Sequence, residues 1–278
     1  MSLSLGNLTK LLQENLKVDY GPRANNFTEQ LLEKIIPNYE KRRDQGVLLL
    51  SEEEQDSAFM LLKRLENNEP FEYVLGEIEF LGAKIRVNPS VLIPRVETEI
   101  LAQMIVEDLK KTSLKGEVLV DLCTGSGCLA ISLKKHLPHL KVLALDISPE
   151  SLGLAKINAA ENKVEIEFSQ GDLLSPLKGL EIDYLVSNPP YITLAEMKVL
   201  PAKVKDFEPH LALEAGKDGL LCYKKIAASI FNSLILKKKA YFEIGERQGL
   251  AIKEIFLNRG ELKKDWSGKD RFFFLEME

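Results

Sequence analysis

The sequence has few of the residues on which metal sites and disulfide frameworks are built. Its 278 residues include three cysteines and three histidines, and no two cysteines form a Cys-x-x-Cys pair. An odd number of cysteines without such a pair makes a disulfide framework unexpected, and the scattered histidines predict no metal site. Glycine and proline, with 17 and 12 residues, are too few for a collagen-like or low-complexity chain.

Long apolar stretches and an excess of basic residues are missing as well. No apolar stretch approaches the roughly 18 to 20 residues that cross a bilayer, and the first ten residues lack the pattern of a signal peptide. We therefore expect a cytoplasmic protein without a membrane partner. The 37 basic and 42 acidic side chains give a net charge of −5. Because nucleic-acid binders neutralise phosphates with a basic stripe, we expect no direct nucleic-acid partner.

The chain divides into parts with different apolar patterns. Up to residue 76, leucines recur at spacings of three and four, and Ser51 and Glu54 form a capping-box pattern, both typical of helices. Residues 77–93 alternate around Leu81-Gly82, which is typical of a β-hairpin. We therefore predict a small helical domain over residues 1–76, a hairpin linker over 77–93 and a larger domain over 94–278.

The larger domain alternates between short strands and helices. Strands are predicted at residues 118–120, 142–145, 164–168, 184–186, 241–244 and 271–275. Helices are predicted at residues 129–137, 220–234 and 250–257, and the three lysines at 237–239 as a solvated turn. Alternating β and α units of this length predict an α/β fold with a doubly wound, mostly parallel sheet.

A glycine turn follows the first of these strands, at residues 121–127. Glycines let the backbone approach a ligand closely, and the helix that follows presents free N–H groups. Asp146 ends the next strand, where a carboxylate can accept hydrogen bonds from ribose hydroxyls. Asp172-Leu173, after the third strand, could hold a purine amino group. The alternative is a purely structural turn with Asp146 as a solvated cap.

The tetrapeptide Asn188-Pro189-Pro190-Tyr191 ends the fourth strand and should face the same crevice. An amide or aryl-amino nitrogen has a delocalised lone pair, so it attacks a sulfonium methyl group poorly. The Asn188 side-chain oxygen and the Pro189 carbonyl are two acceptors that would position its N–H groups. The two prolines make the backbone rigid, and Tyr191 offers a flat face to a planar group. The alternative is a proline-rich turn.

These motifs resemble those of class I S-adenosylmethionine-dependent amino-methyltransferases. Nearly the whole chain is similar to the protein-(glutamine-N5) methyltransferases that modify peptide-chain release factors. The similarity covers residues 69–76, 79–80, 92–99, the glycine turn, Asp146 and residues 188–191, 207–209, 216–220 and 243–245. The resemblance implies a Rossmann-like sheet of seven strands, S-adenosylmethionine as cofactor and methyl transfer to a release-factor glutamine. We expect a monomer whose helical domain binds the protein substrate.

The resemblance also implies a role for individual residues. S-adenosylmethionine would contact Cys123, Thr124, Gly125, Ser126, Gly127, Asp146, Asp172, Leu173 and Asn188. The catalytic residues would be Asn188, Pro189 and Tyr191, and these would hold the glutamine side chain together with Pro190. Cys123 replaces a glycine usual in the family, so its φ angle is expected to avoid positive values. Leu173 replaces an aromatic residue of some relatives, and Val96 replaces a common proline. Cys123 and Cys128 are interpreted as packing residues.

Two other substrates and one non-enzymatic role share parts of this pattern. An amino group of a nucleic-acid base, such as adenine N6, poses the same nitrogen problem, but residues 1–80 carry 9 basic and 15 acidic side chains. A ribosomal-protein glutamine is a second alternative that the sequence separates only weakly. A non-catalytic binding protein is disfavoured by the presence of both Asn188 and Asp146.

Overall fold

The computed structural model describes residues 3–46, 49–233 and 235–277. They divide into two compact units. The first contains the chain up to Gly76 together with Ala202–Phe207, and the second contains Glu77–Pro201 and the chain from Glu208 onwards. The assignment of Ala202–Phe207 to the first unit was not predicted from the sequence.

The elements follow the predicted order of helices, hairpin and alternating strands and helices. The helices are α1 Leu5–Tyr20, α2 Ala24–Ile35, α3 Tyr39–Asp44, α4 Glu52–Glu66, α5 Phe71–Leu75, α6 Val96–Leu109, α7 Cys128–His136, α8 Pro149–Glu161, α9 Leu194–Met197, α10 Ala202–Lys205, α11 Leu221–Asn232 and α12 Gly249–Ile255. The strands are β1 Glu77–Phe80, β2 Ala83–Arg86, β3 Val118–Leu122, β4 Lys141–Asp146, β5 Glu167–Gln170, β6 Glu181–Ser187, β7 Ile235–Glu243, β8 Glu261–Lys264 and β9 Asp270–Glu276. Across the described ranges, no helix is long and apolar enough to span a membrane.

The first unit is held by an apolar core to which α1, α2, α4 and α5 contribute. Leucines spaced three and four apart, such as Leu8 and Leu12, are fully buried in it. The predicted capping box at the start of α4 is present. Glu54 N donates to the Ser51 hydroxyl at 3.2 Å, and Ser51 N donates to the Glu54 carboxylate at 2.8 Å. Two backbone donors that would otherwise lack partners are thereby satisfied.

The second unit contains the hairpin and a seven-stranded sheet. In the hairpin, Glu77 of β1 pairs with Arg86 of β2. The strand order of the sheet is β5-β4-β3-β6-β7-β9-β8, with β9 antiparallel to both neighbours and the first five strands parallel. This confirms the predicted doubly wound, mostly parallel sheet. The chain builds outward from β3 in one direction and from β6 in the other. The switch point therefore lies between β3 and β6, where ligands bind in such sheets.

Two predictions of local structure were wrong, and one strand was missed. The third predicted strand, at 164–168, is observed as Glu167–Gln170, because Val164 N still bonds to the end of α8, at the Ala159 carbonyl. Residues 237–239 lie inside β7 instead of in a solvated turn, since their ammonium groups pair with Glu181, Glu117 and Asp108. Strand β8 was missed because its polar sequence Glu-Leu-Lys-Lys has no apolar alternation.

Candidate active site

A cavity of about 340 Å³ lies at the carboxyl ends of β3, β4 and β6. Its size falls in the range of small-molecule sites. Among the residues predicted to bind a ligand, its walls include Cys123, Thr124, Gly125, Ser126, Asp146, Asp172, Leu173, Asn188 and Pro190. Gly127, Pro189 and Tyr191 do not line it. The structure therefore brings most of the predicted site residues to one place.

The Asp121 side chain holds the glycine turn in place through hydrogen bonds. The side chain is fully buried, and its Oδ2 accepts a hydrogen bond from the Thr124 hydroxyl at 2.6 Å and from Ala130 N at 3.1 Å. Its Oδ1 is buried and has no hydrogen-bond partner among the described residues. Burial raises the pKa of Asp121 to about 7. The carboxyl thus ties the end of β3 to the first turn of α7, and it was not among the predicted site residues.

Cys123 adopts a φ angle of +61°. This contradicts the expectation that a residue other than glycine would keep the backbone out of the left-handed region. The turn requires that conformation, because Thr124 N, the next backbone donor, bonds to the Leu145 carbonyl of β4 at 2.9 Å. The side chain packs against the core of the sheet. Burial raises the pKa of the Cys123 thiol well above its usual value and that of Cys128 to about 12, which is consistent with packing roles.

Asp146 at the end of β4 is the main hydrogen-bonding group on its side of the cavity. Its Oδ2 accepts from Gly125 N at 2.8 Å and its Oδ1 accepts from Ser148 N at 3.0 Å. The side chain is partly buried and bonded to two backbone N–H groups, which distinguishes it from a solvated cap, and burial raises its pKa. A carboxylate has about four acceptor positions, and the backbone N–H groups of Gly125, Ser148 and Ile147 interact with this one. At least one acceptor position is left for a ligand hydroxyl.

Asp172 and Leu173 form the adjoining wall. Gly171 N bonds to the Asp146 carbonyl at 3.0 Å, which places Asp172 next to that strand end. The Asp172 carboxylate pairs with Lys225 Nζ at 3.0 Å. Leu173 has a φ angle of +51° and lines the cavity as an apolar surface. Leu173, together with Leu145 and other apolar wall residues, offers the kind of surface on which a planar base can lie.

Asn188 is connected to two buried residues that sequence reasoning did not select. Asn188 Nδ2 donates to Thr98 Oγ1 at 3.0 Å, and the Thr98 hydroxyl donates to Glu243 Oε2 at 2.6 Å. Tyr191 Oη donates to Glu243 Oε1 at 3.3 Å. Burial raises the pKa of Glu243 to about 7. It also raises the pKa of Tyr191 above its usual value. Thr98 and Glu243 both lie in segments that carry the family resemblance, but no sequence pattern links two positions that are 145 residues apart.

The backbone after the tetrapeptide is held by Gln248. Its Nε2 donates to the Tyr191 carbonyl at 3.0 Å and to the Gly219 carbonyl at 3.2 Å, while its Oε1 accepts from Gly245 N at 3.0 Å. One side chain thus joins three separate loops at the edge of the cavity. The position of the tetrapeptide depends on this junction as well as on the strand that precedes it.

The donor set fits a nucleoside-type cofactor. The acceptor capacity that remains on Asp146 suits a ribose hydroxyl, and the apolar wall suits a base. Within the described ranges, no three His, Cys, Asp or Glu side chains are grouped to hold a metal ion. S-adenosylmethionine combines a ribose and an adenine with a sulfonium group, so the residues present are compatible with it.

Comparison with known proteins agrees with the fold and with the resemblance to methyltransferases. The family "Methyltransferase small domain" matches residues 95–208. A release factor glutamine methyltransferase from Lactococcus lactis is 42% identical over 84% of this chain and 83% of its own length. One from Chlamydia trachomatis serovar D is 40% identical over 82% and 79%. A solved structure, "hMettl16 catalytic domain in complex with MAT2A 3'UTR hairpin 1", has a TM-score of 0.55 at 17% identity and covers 92% of both chains; it supports the fold alone.

Proposed function

The chain belongs to the family of release factor glutamine methyltransferases, and from this membership we propose that it methylates N5 of a glutamine in a peptide-chain release factor, with S-adenosylmethionine as methyl donor. The observation that carries the proposal is the shared cavity. Asn188, with its amide held from behind by Thr98, lines the same cavity as the glycine turn and Asp146. A methyl donor and an amide acceptor can therefore be held side by side.

The chain's own groups account for binding and orientation. When bound, S-adenosylmethionine supplies an electrophilic methyl group. Asp146 would hold its ribose through the acceptor capacity that the backbone leaves free, and residues 123–127 would approach it through backbone N–H groups. Asp172 and Leu173 would contact its adenine. These assignments are part of the proposal and rest on cavity position and donor chemistry.

Asn188 and Pro189 would position the substrate amide. The nitrogen must present its π face to the methyl group, although resonance in the planar amide draws its lone pair away. Two acceptors, the Asn188 side-chain oxygen and the Pro189 carbonyl, would hold its two N–H groups and keep the nitrogen in that orientation. Pro190 lines the cavity and restricts the backbone before it. Tyr191 does not line the cavity, so we propose that it supports the site through its hydroxyl and backbone.

We further propose that the helical unit binds the release factor. Within the described residues, no cavity-lining side chain belongs to this unit. On α4, Phe59 and Met60 are 53% and 69% exposed, one helical turn after Asp56. A Phe59→Ser, Met60→Ser double variant should raise the KM for release factor and leave cofactor affinity unchanged. An unchanged KM would remove this surface from substrate binding.

A monomeric cytoplasmic enzyme without a nucleic-acid partner remains our expectation, to be tested by light scattering, cell fractionation and nucleic-acid binding assays.

The experiment that tests the function offers several methyl acceptors in parallel. Release factor, ribosomal protein and DNA are each incubated with the enzyme and methyl-labelled S-adenosylmethionine, and mass spectrometry locates the label. We expect labelling of a release-factor glutamine. Asn188→Ala should reduce turnover by about 10²- to 10³-fold, whereas Asn232→Ala, an exposed amide bonded only to its own helix, should not. Label on DNA or ribosomal protein alone would overturn the proposed substrate.

A further inference from the structure

The polarity of the Asn188 carboxamide is set by a hydrogen-bond chain behind it. A carboxamide has a donor end and an acceptor end of nearly the same shape, and only the acceptor end can receive an N–H from a substrate amide. If the group were turned over, its NH₂ would face the substrate donor and the contact would be lost. The site therefore needs hydrogen-bond partners that select one of the two orientations.

Thr98 and Glu243 provide these hydrogen-bond partners. An ionised carboxylate only accepts hydrogen bonds, and the Thr98 hydroxyl has a single proton. That proton is donated to Glu243 Oε2 at 2.6 Å. The Thr98 oxygen is then left as an acceptor, so it takes Asn188 Nδ2 at 3.0 Å. The Asn188 oxygen must consequently point to the other side of the amide, away from Thr98.

Burial keeps the hydrogen bonds from Asn188 to Thr98 and from Thr98 to Glu243 directional and rigid. Thr98 is 3% exposed and Glu243 is 1% exposed, so water does not compete for their hydrogen bonds. Glu243 is held by further contacts, because its Oε1 accepts from Tyr191 Oη and its backbone carbonyl accepts from Tyr223 Oη at 2.7 Å. Neither Glu243 nor Tyr191 lines the cavity, whereas Thr98 and Asn188 do. Glu243 thus acts through Thr98 and does not touch the substrate.

We propose that Thr98 and Glu243 are positioning residues that fix the acceptor end of Asn188 toward the substrate amide. The proposal rests on the proposed function, since it concerns the orientation of a glutamine amide at the same site. It goes beyond it by assigning two residues from distant parts of the chain to substrate recognition. It also predicts how the reaction responds to pH.

The sign of the pH response follows from the protonation of Glu243. Burial, opposed by the hydrogen bond from Thr98 and the charge of Arg271, raises its pKa to about 7. Below that pH the neutral carboxyl can itself donate to Thr98. The Thr98 hydroxyl can then donate to Asn188, which favours the reversed amide. The groups that face Glu243 from the surrounding elements are Glu97 and Thr98 of α6, Cys128 of α7, Tyr191, Tyr223 of α11 and Arg271 of β9.

The test compares Thr98→Val with Thr98→Ser in the full-length enzyme. Valine keeps the shape but removes the hydroxyl, and serine retains it. Thr98→Val should lower turnover on release factor by about 10-fold, the equivalent of one lost hydrogen bond, while Thr98→Ser stays close to wild type. Affinity for S-adenosylmethionine, measured by titration calorimetry, should be the same in all three proteins. Equal turnover for the valine and serine variants would overturn the proposal.

The pH profile separates positioning from a merely structural role. For the wild type, kcat/KM for release factor should fall as the pH drops below about 7, and this fall should be absent in Thr98→Val because protonation no longer reaches Asn188. Glu243→Gln should lose the same fall, which provides a second test if the valine variant does not fold. If kcat/KM falls below about pH 7 in Thr98→Val and Glu243→Gln as it does in the wild type, the proposal is overturned. A wild-type enzyme without transfer to release factor would instead overturn the proposed function, and the inference with it.

Discussion

Gly219 occupies a position where one added methyl group would displace the tetrapeptide. Its φ angle is +71°, and a Cβ built on it would lie 2.3 Å from the Tyr191 carbonyl oxygen and 2.5 Å from Gln248 Nε2. Ordinary van der Waals contact begins near 3.4 Å. In Gly219→Ala the Tyr191 carbonyl must therefore move by about 1 Å, because a backbone atom cannot rotate away as a side chain can.

The expected losses can be worked out from these contacts. A left-handed alanine costs about 1 to 2 kcal/mol, and the two Gln248 hydrogen bonds contribute about 1 kcal/mol each. We expect Gly219→Ala to lower the free energy of unfolding by about 3 kcal/mol, measured by urea titration. A displacement of about 1 Å next to reacting groups can reduce turnover by about 10²-fold. Cofactor affinity should change much less.

Gly216→Ala is the matched control. Gly216 has a φ angle of +81°, but the nearest atom to an added Cβ is Leu221 Cβ at 3.9 Å. This variant should show the backbone cost of about 1 to 2 kcal/mol without the loss of turnover. If the two variants lose turnover equally, the Tyr191 carbonyl does not transmit the displacement and the reasoning is refuted.

Two further substitutions test the cofactor side of the cavity. Asp146→Asn should weaken S-adenosylmethionine binding by about 10-fold or more, because hydrogen bonds to a charged acceptor contribute about 1.5 to 3 kcal/mol; an unchanged Kd in titration calorimetry would exclude Asp146 from the site. Asp121→Asn should change how stability depends on pH. The pKa of Asp121 is raised to about 7 from 3.8, so the folded state holds the extra proton. The contribution of Asp121 to wild-type stability should therefore fall as the pH rises from about 4 to 7, by on the order of 4 kcal/mol. The urea midpoint of the variant, taken relative to that of the wild type, should rise across this range, and parallel curves would show that Asp121 does not titrate there.

The parts of the fold that were predicted from the sequence depend on local patterns. The strand before the glycine turn, the strand ending at Asp146 and the strand before the proline-rich tetrapeptide are short apolar runs followed by turn residues. Such patterns do not require tertiary information. The same patterns predicted most of the residues that meet at the cavity. Their contacts with a ligand remain predictions.

The parts that sequence reasoning missed depend on pairing across the chain. The lysines at 237–239 read as a polar turn until their acidic partners are known, and these come from α6, β6 and the segment before β3. Thr98 and Glu243 have ordinary local sequences, and only the fold joins them. The positive φ of Cys123 is imposed by pairing with the neighbouring strand, which overrides the residue's own preference.

The membership of Ala202–Phe207 in the helical unit has a consequence for how such an enzyme can be taken apart. The chain passes between the two units three times, after Gly76, after Pro201 and after Phe207. Lys203 is paired with Asp19 at 2.6 Å and lies over the Tyr20 ring. A gene fusion that exchanges only the first 76 residues would leave this segment facing a foreign surface. The helical unit is therefore made of two separate stretches of the chain, and an exchange of this unit has to include Ala202–Phe207.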